Sequence, residues 1–176
     1  AHRYMADDGA ARVSNDLFKK SSAEFSPCRT WRYVLRRKWG DGPAIGFILL
    51  NPSTADEEND DPTIRRCIGY AKRWGGGSLV LGNLFALRST DPNGLYSAAD
   101  PIGPENDAAL LRIAREVSGS RLVCGWGTHG SYKGRGRDVV LMLLRENANP
   151  MALSITKDGS PGHPLYLRRD LEPFAL

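Results

Sequence analysis

Asn51, Asn83 and His163 are the residues of this chain best suited by type and place to do chemistry. Asn51-Pro52 stands where the apolar run 44–50 stops and gives way to Ser53-Thr54-Ala55-Asp56, Asn83 lies inside a second apolar run, 78–87, and His163 sits between Gly162 and Pro164. Amides and imidazoles dominate the set. An amide donates and accepts hydrogen bonds along a base edge, and a neutral imidazole donates to negative charge as it develops. Such a set suits polarising a neutral heterocycle or holding a water. Other chemistries lack their signatures: there is no GxSxG elbow, no GxxxxGK[ST] loop, and no GxGxxG between a first strand and helix.

Each candidate also has a plain structural reading. Asn51-Pro52 is a turn that ends a strand, Asn83 a core amide satisfied by neighbouring backbone, and His129, in the glycine-rich turn Trp126-Gly127-Thr128-His129-Gly130, an exposed side chain. Asp60 and Asp61 precede Pro62, so they read as helix-terminus residues rather than metal ligands. Trp31, Trp39 and Trp74 read as packing residues.

The elements that must position these residues alternate along the chain. Residues 30–39 alternate apolar and polar like an edge strand, and Gly40-Asp41-Gly42-Pro43 turns the chain into the buried run 44–50. A helix starts at Pro62, carries Ile64, Cys67, Ile68, Ala71 and Trp74 at helical spacing, and ends at Gly75-Gly76-Gly77. The strand 78–87, a loop from Arg88, a helix marked by Ala108, Leu111, Ala114 and Val117, the strand 121–125, a helix over 135–147 facing inward through Val139, Met142 and Leu143, and a last strand 151–156 follow. The pattern predicts a three-layer αβα sandwich with a central, mainly parallel four-stranded sheet. In that arrangement the loops bearing Asn51-Pro52, Arg88, Trp126-His129 and His163-Pro164 gather at the carboxyl edge, where open α/β sheets bind ligands.

Composition bounds the rest. With 176 residues, 41% hydrophobic and 25% charged, the chain fits one soluble domain over 26–176 preceded by an N-terminal arm, 1–25, with a short helix near 11–18. No run is long and apolar enough to span a membrane, and there is no secretory signal pattern. Cys28, Cys67 and Cys124 are odd in number and dispersed, as are His2, His129 and His163, so the expectation is a cytoplasmic monomer with reduced thiols, no metal and no cofactor. The charge of +4 and pI near 9.1 are mildly basic. Arg29, Arg32, Arg36, Arg37 and Lys38 form one basic cluster, read equally as a phosphate-binding or a solvated face; Lys133, Arg135 and Arg137, spaced by glycine, form a second that suits phosphates better.

On these residues the chain resembles a known superfamily. Ile48-Leu49-Leu50-Asn51-Pro52-Ser53 looks like motif A of the uracil-DNA glycosylases, whose mismatch-specific and single-strand-selective branches end the first strand in Gly-x-Asn-Pro-Gly. The run 79–87 with Asn83 resembles the middle strand, 122–127 the strand before the third helix, and Gly162-His163-Pro164-Leu165 the His-Pro element of motif B. The order holds over residues 44–167. Leu50-Asn51-Pro52-Ser53-Thr54-Ala55 followed by Asp61-Pro62-Thr63 is closer still to a family of bacterial and phage proteins, the domain of unknown function 1643.

The glycosylase resemblance implies that Asn51 positions the water attacking the sugar C1′, that His163 donates to the base carbonyl, and that Asn83 reads the base edge. Phe85 or Trp126 would stack on the base, and Ser53, standing where glycine follows Asn-Pro, would narrow the approach or add a hydroxyl contact. Leu165 or Tyr166 would wedge into the space left by a flipped nucleotide, with Arg88, Lys133, Arg135 and Arg137 on phosphates. The serine after His-Pro is missing, and an acidic insertion spans 56–61. The implied activity is base-excising N-glycosylase chemistry on single- or double-stranded DNA. A hydrolase or transferase acting on a nucleoside or nucleotide, and a non-catalytic nucleic-acid-binding module, are the alternatives.

Overall fold

The computed structural model describes residues 20–176; the expected helix near 11–18 and the arm up to residue 19 lie outside them. Along the chain run β1 (Ser21–Phe25), β2 (Arg32–Lys38), β3 (Ala44–Leu49), α1 (Pro62–Arg73), β4 (Ser78–Asn83), α2 (Gly94–Ser97), α3 (Asn106–Glu116), β5 (Leu122–Cys124), α4 (Arg135–Arg145), β6 (Pro150–Ala152) and β7 (Phe174–Ala175). Among the described residues the strands form one mixed sheet in the order β1-β2-β4-β3-β5-β6-β7. β3 is parallel to β4 and β5, and β6 is parallel to β5; β1 with β2, β2 with β4, and β6 with β7 pair antiparallel. The expected four-stranded, mainly parallel sheet is therefore corrected to seven strands with half the pairings antiparallel.

The correction has a local cause. β1 is Ser-Ser-Ala-Glu-Phe, half-buried at every position, so it shows no apolar alternation and reads as arm. Its pairing turns β2 from the expected edge strand into an interior one, with Arg32 and Arg37 buried. β7 has two exposed residues and depends on β6 for its existence. The apolar run through 87 leaves the ladder at Asn83, and the last strand is confined to three residues.

Helices lie on both faces of the sheet. Ile64, Cys67, Tyr70 and Ala71 of α1 pack with Ile45, Phe47 and Leu49 of β3 on one face. Ala109, Leu110 and Ile113 of α3 and Val139 and Leu143 of α4 pack on the other, with Ile48 and Val80. A strand buried on both sides needs apolar residues at every position, which is why β3 and β4 read as continuous runs. α1 starts as its sequence predicts: the Asp61 carboxylate accepts the Ile64 amide at 2.9 Å and Pro62 takes the first helical position. No helix among the described residues is long and apolar enough to cross a membrane.

Candidate functional site

The exits of the parallel strands are held together by backbone hydrogen bonds beyond the regular ladder. Leu84 N donates to Leu49 O (2.8 Å), Phe85 N to Leu50 O (3.0 Å) and Gly125 N to Ile48 O (2.9 Å). The Asn51 loop therefore leaves the sheet between the exits of β4 and β5. Asn51 Nδ2 donates to Ser89 O at 2.8 Å and to Pro52 O at 3.1 Å, while Ser89 N donates to Pro52 O at 2.9 Å. With both amide protons committed to carbonyls, Oδ1 is the atom left to accept a hydrogen bond.

His163 reaches the same edge from the last long loop. Gly127, at φ +70°, donates its N–H to Pro161 O at 2.8 Å, which lays the following residues against the exit of β5. The packing is close: a Cβ on Gly125 would fall 2.9 Å from Pro164 Cδ, 3.2 Å from Gly162 O and 3.3 Å from Leu49 Cδ2. His163 caps a 3₁₀ turn, Pro164–Tyr166, by accepting the Leu165 amide on Nδ1 at 3.3 Å. Burial pushes its pKa below the ordinary value, against the opposing pull of the Asp61 carboxylate, so the ring is neutral at pH 7. A neutral ring that accepts at Nδ1 carries its proton on Nε2, which is then a donor.

Asn83 shares a face of the sheet with this loop. It pairs in register with Leu49, whose side chain packs on the α1 side, and strand alternation places Gly125 on that side too. Asn83 and the His163 segment are thus separated by the width of β3, roughly 10 Å at about 4.8 Å per strand. The Asn83 side chain is 2% exposed and its Nδ2 has no hydrogen-bond partner among the described residues. A buried amide donor left unpaired is costly and calls for an explanation. Its backbone carbonyl accepts from Asn106 Nδ2 at 2.9 Å.

The other expected site residues separate into groups. Ser53 is partly buried in the Asn51 loop. Phe85 and Trp126 are buried; Phe85 meets the Tyr132 ring at 6.0 Å, and Gly130 and Gly136 lie directly against the Trp126 indole. Both are walls of the core in this conformation. Arg135 is turned inward, its guanidinium donating to Leu84 O at 2.9 Å and to Asp107 at 2.6 Å, so it does not share a surface with Lys133 and Arg137, which are exposed. Arg88 lies over the Phe25 ring at 5.0 Å. Leu165 is half-buried and Tyr166 exposed beside His163, the two rings 5.6 Å apart.

The acidic insertion is folded against the first basic cluster. Glu57 takes a bidentate pair from Arg29 (2.9 and 3.1 Å), Asp60 pairs with Arg37 at 2.8 Å, and Arg36 is held by Glu24 and Glu116. Acids and bases that look like separate runs in sequence therefore neutralise each other in space.

Three features escape sequence reading. Tyr96 Oη lies 2.7 Å from His129 Nδ1 and its ring packs edge-on against Tyr132 at 4.5 Å, forming a solvent-facing aromatic group beside the exit of β5. Turn composition alone made these residues look like plain loop. Arg32 is 2% exposed, donates from Nη1 to Ala55 O at 2.6 Å and leaves Nε without a partner among the described residues; burial lowers its pKa to about 10, with Asp61 opposing. Finally, a cavity of about 530 Å³ lies beside α1, lined by arginines and by Leu165 but by none of Asn51, Asn83 and His163. The arginines at positions 65, 66 and 73 of the helix were its one visible sign.

Neither the curated proteins nor the solved structures gave a match to this chain. The model of the family described as a protein of unknown function, DUF1643, matches residues 32–165, from the start of β2 to the 3₁₀ turn after His163. That span contains Asn51, Asn83 and His163 with the strands that hold them, and the chain belongs to the DUF1643 family.

Proposed function

We propose that this protein is a base-excising N-glycosylase, related in fold and site to the uracil-DNA glycosylases, that hydrolyses the bond between the sugar and a flipped uracil-like or modified base of DNA. The observation that carries the reading is a pair of donors on one face of the sheet edge: the unpartnered Asn83 Nδ2 and the Nε2–H of a neutral His163. A pyrimidine ring presents carbonyl acceptors at two positions, and a base that enters as the edge opens over Asn83, which is closed to solvent here, satisfies both donors and relieves the buried amide. Asn51 Oδ1, fixed by the two carbonyls behind it, accepts a hydrogen bond from the attacking water.

In this mechanism the C1′–N bond breaks as water adds to C1′. The base leaves as an anion stabilised by His163 and then takes a proton; the water loses one, and an abasic sugar remains. Asn51 orients the water without acting as a base, since an amide is not one. The departing anion therefore bears most of the stabilisation, and removing a donor aimed at such charge costs about 10²–10³ in rate.

Incubation of the protein with single- and double-stranded oligonucleotides carrying uracil and a panel of modified bases, followed by alkaline cleavage at abasic sites, tests the proposal. Release by wild type is expected, with Asn51→Ala and His163→Ala slowed by roughly 10²-fold or more while binding persists. Absence of release from every substrate by wild type rejects the glycosylase reading.

A further inference from the structure

Away from the sheet edge, the cavity beside α1 has the chemistry of a polyanion site. Arg65, Arg66, Arg73 and Arg169 line it with Gly69 and Leu165, and none of its lining residues is acidic. Arg66 donates to the Leu167 carbonyl and the Tyr70 hydroxyl to the Arg168 carbonyl, which fastens the carboxyl-terminal segment to the helix as the second wall. Two acids stand near these cations: Glu172 approaches Arg73 at 3.6 Å with both groups about half exposed, and Asp170, paired with Arg168, also acts on Arg73; exposed pairs of this kind are weak and yield to a competing anion.

The spacing of the cations selects the kind of anion. Arg66 and Arg73 are separated by two helical turns, about 10 Å along the axis, whereas even along one strand of a duplex, where phosphates are most closely stacked, they recur about every 3.4 Å of axis. Several linked phosphates span such a row, and a lone phosphate does not. Gly69 lies midway between them, exposed, and a Cβ there would meet nothing within 4 Å. Glycine weakens a helix interior and no neighbour requires it here; its effect is to leave the floor of the cleft without a side chain. At the end of the cleft, Tyr166 follows Leu165, is 82% exposed, and lies against His163. An exposed aromatic beside a basic groove is a stacking platform for an unpaired base.

The geometry points to single-stranded nucleic acid as the occupant, its backbone running along α1 past Arg65, Arg66, Arg73 and Arg169 and a base stacked on Tyr166, so that the strand is led to His163. The inference rests on the glycosylase reading for the nature of its partner, and it gives that partner a path and a strand preference. The arginines of α1 thereby take the backbone contacts that the glycine-spaced cluster suggested for Lys133 and Arg137.

Fluorescence anisotropy with an unmodified, labelled oligo-dT of about 15 nucleotides, the upper range of a single-stranded binding site, measures it. Wild type should bind with affinity that falls steeply with salt, and the Arg65→Gln, Arg73→Gln, Arg169→Gln triple variant should lower the log–log slope by about two, at about 0.7 per phosphate contact. Tyr166→Ala should weaken binding roughly 5- to 150-fold. Gly69→Gln should block the cleft while circular dichroism shows the helix intact. Wild-type affinity in all of these variants, loss of binding in Lys133→Gln with Arg137→Gln instead, or displacement of the strand by dTMP at the concentration that displaces it by competing oligo-dT, overturns the inference. Because anisotropy reads binding and not cleavage of the base–sugar bond, failure of base release leaves this result standing, and failure here leaves the base-release assay to be judged separately.

Discussion

Two side chains have surroundings that favour one protonation state. His163 is held neutral because burial disfavours its charged form, and its Nδ1 already accepts the Leu165 amide. Its ring should titrate below the ordinary 6.5 in a proton NMR series on the folded protein; a midpoint at or above that value contradicts the Nε2–H donor assigned to it. Cys28 differs from the other thiols. The hydroxyls of Ser26 and Thr30 lie 3.4 and 3.2 Å from its sulfur and lower its pKa to about 7, whereas burial pushes Cys67 and Cys124 up. Thiolate fraction and access set reactivity together. In the native protein Cys28 should react with a disulfide reagent at pH 7 well before Cys67 and Cys124, with a rate midpoint near pH 7; equal labelling of all three would contradict that burial.

At the level of elements, local chemistry was legible and partnership was not. Asp61-Pro62 announced the start of α1 because a cap is made within one turn of chain, and the structure has that cap. β1 could not be seen, since Ser21–Phe25 becomes a strand only through β2. In α3 the expected Ala114 and Val117 are buried, but Ala108 is exposed and Leu111 half-buried; Ala109, Leu110 and Ile113 complete the inward face, and so does Asn106, whose amide donates to the Asn83 and Leu84 carbonyls. A polar residue in the core defeats a reading based on apolar spacing. Two glycines separate packing from conformation. Gly69→Ala meets open space and should stabilise the fold by about 0.5–1 kcal/mol. Gly82→Ala would place a methyl 2.7 Å from Ile113 Cδ1 and 2.8 Å from Leu110 Cδ2, and should destabilise by about 1–3 kcal/mol. Urea midpoints of the two variants should move in opposite directions.

Across the whole molecule, the surface charge was the least legible property. Net charge says only +4, and in sequence the basic run 29–38 and the acidic run 56–61 stand apart, the first readable equally as a phosphate-binding or a solvated face. In space Arg29, Arg36 and Arg37 close onto Glu57, Glu24, Glu116 and Asp60, joining strands to a loop far along the chain, while the cleft arginines come from α1 and the carboxyl-terminal segment. The same arrangement shapes stability against pH in two stages. His163 has a folded pKa below its unfolded 6.5, so the unfolded chain binds that proton first; its contribution is complete above pH 6.5 and declines as pH falls below it. The carboxylates follow lower down. Amide hydrogen bonds from Glu58 and Asn59 hold Asp56 at about 2, Arg29 holds Glu57 down, and Arg168 holds Asp170 down, so these contributions are present above the unfolded values near 4 and are lost as pH falls through the folded ones. Urea unfolding from pH 8 to pH 2 should therefore show a shallow loss beginning near 6.5 and a steeper one below about 4, the unfolded carboxylate range. His163→Asn retains an oxygen able to accept the Leu165 amide but does not titrate there. It should remove the first stage and leave the second; persistence of the upper stage in that variant would assign it to a group other than His163.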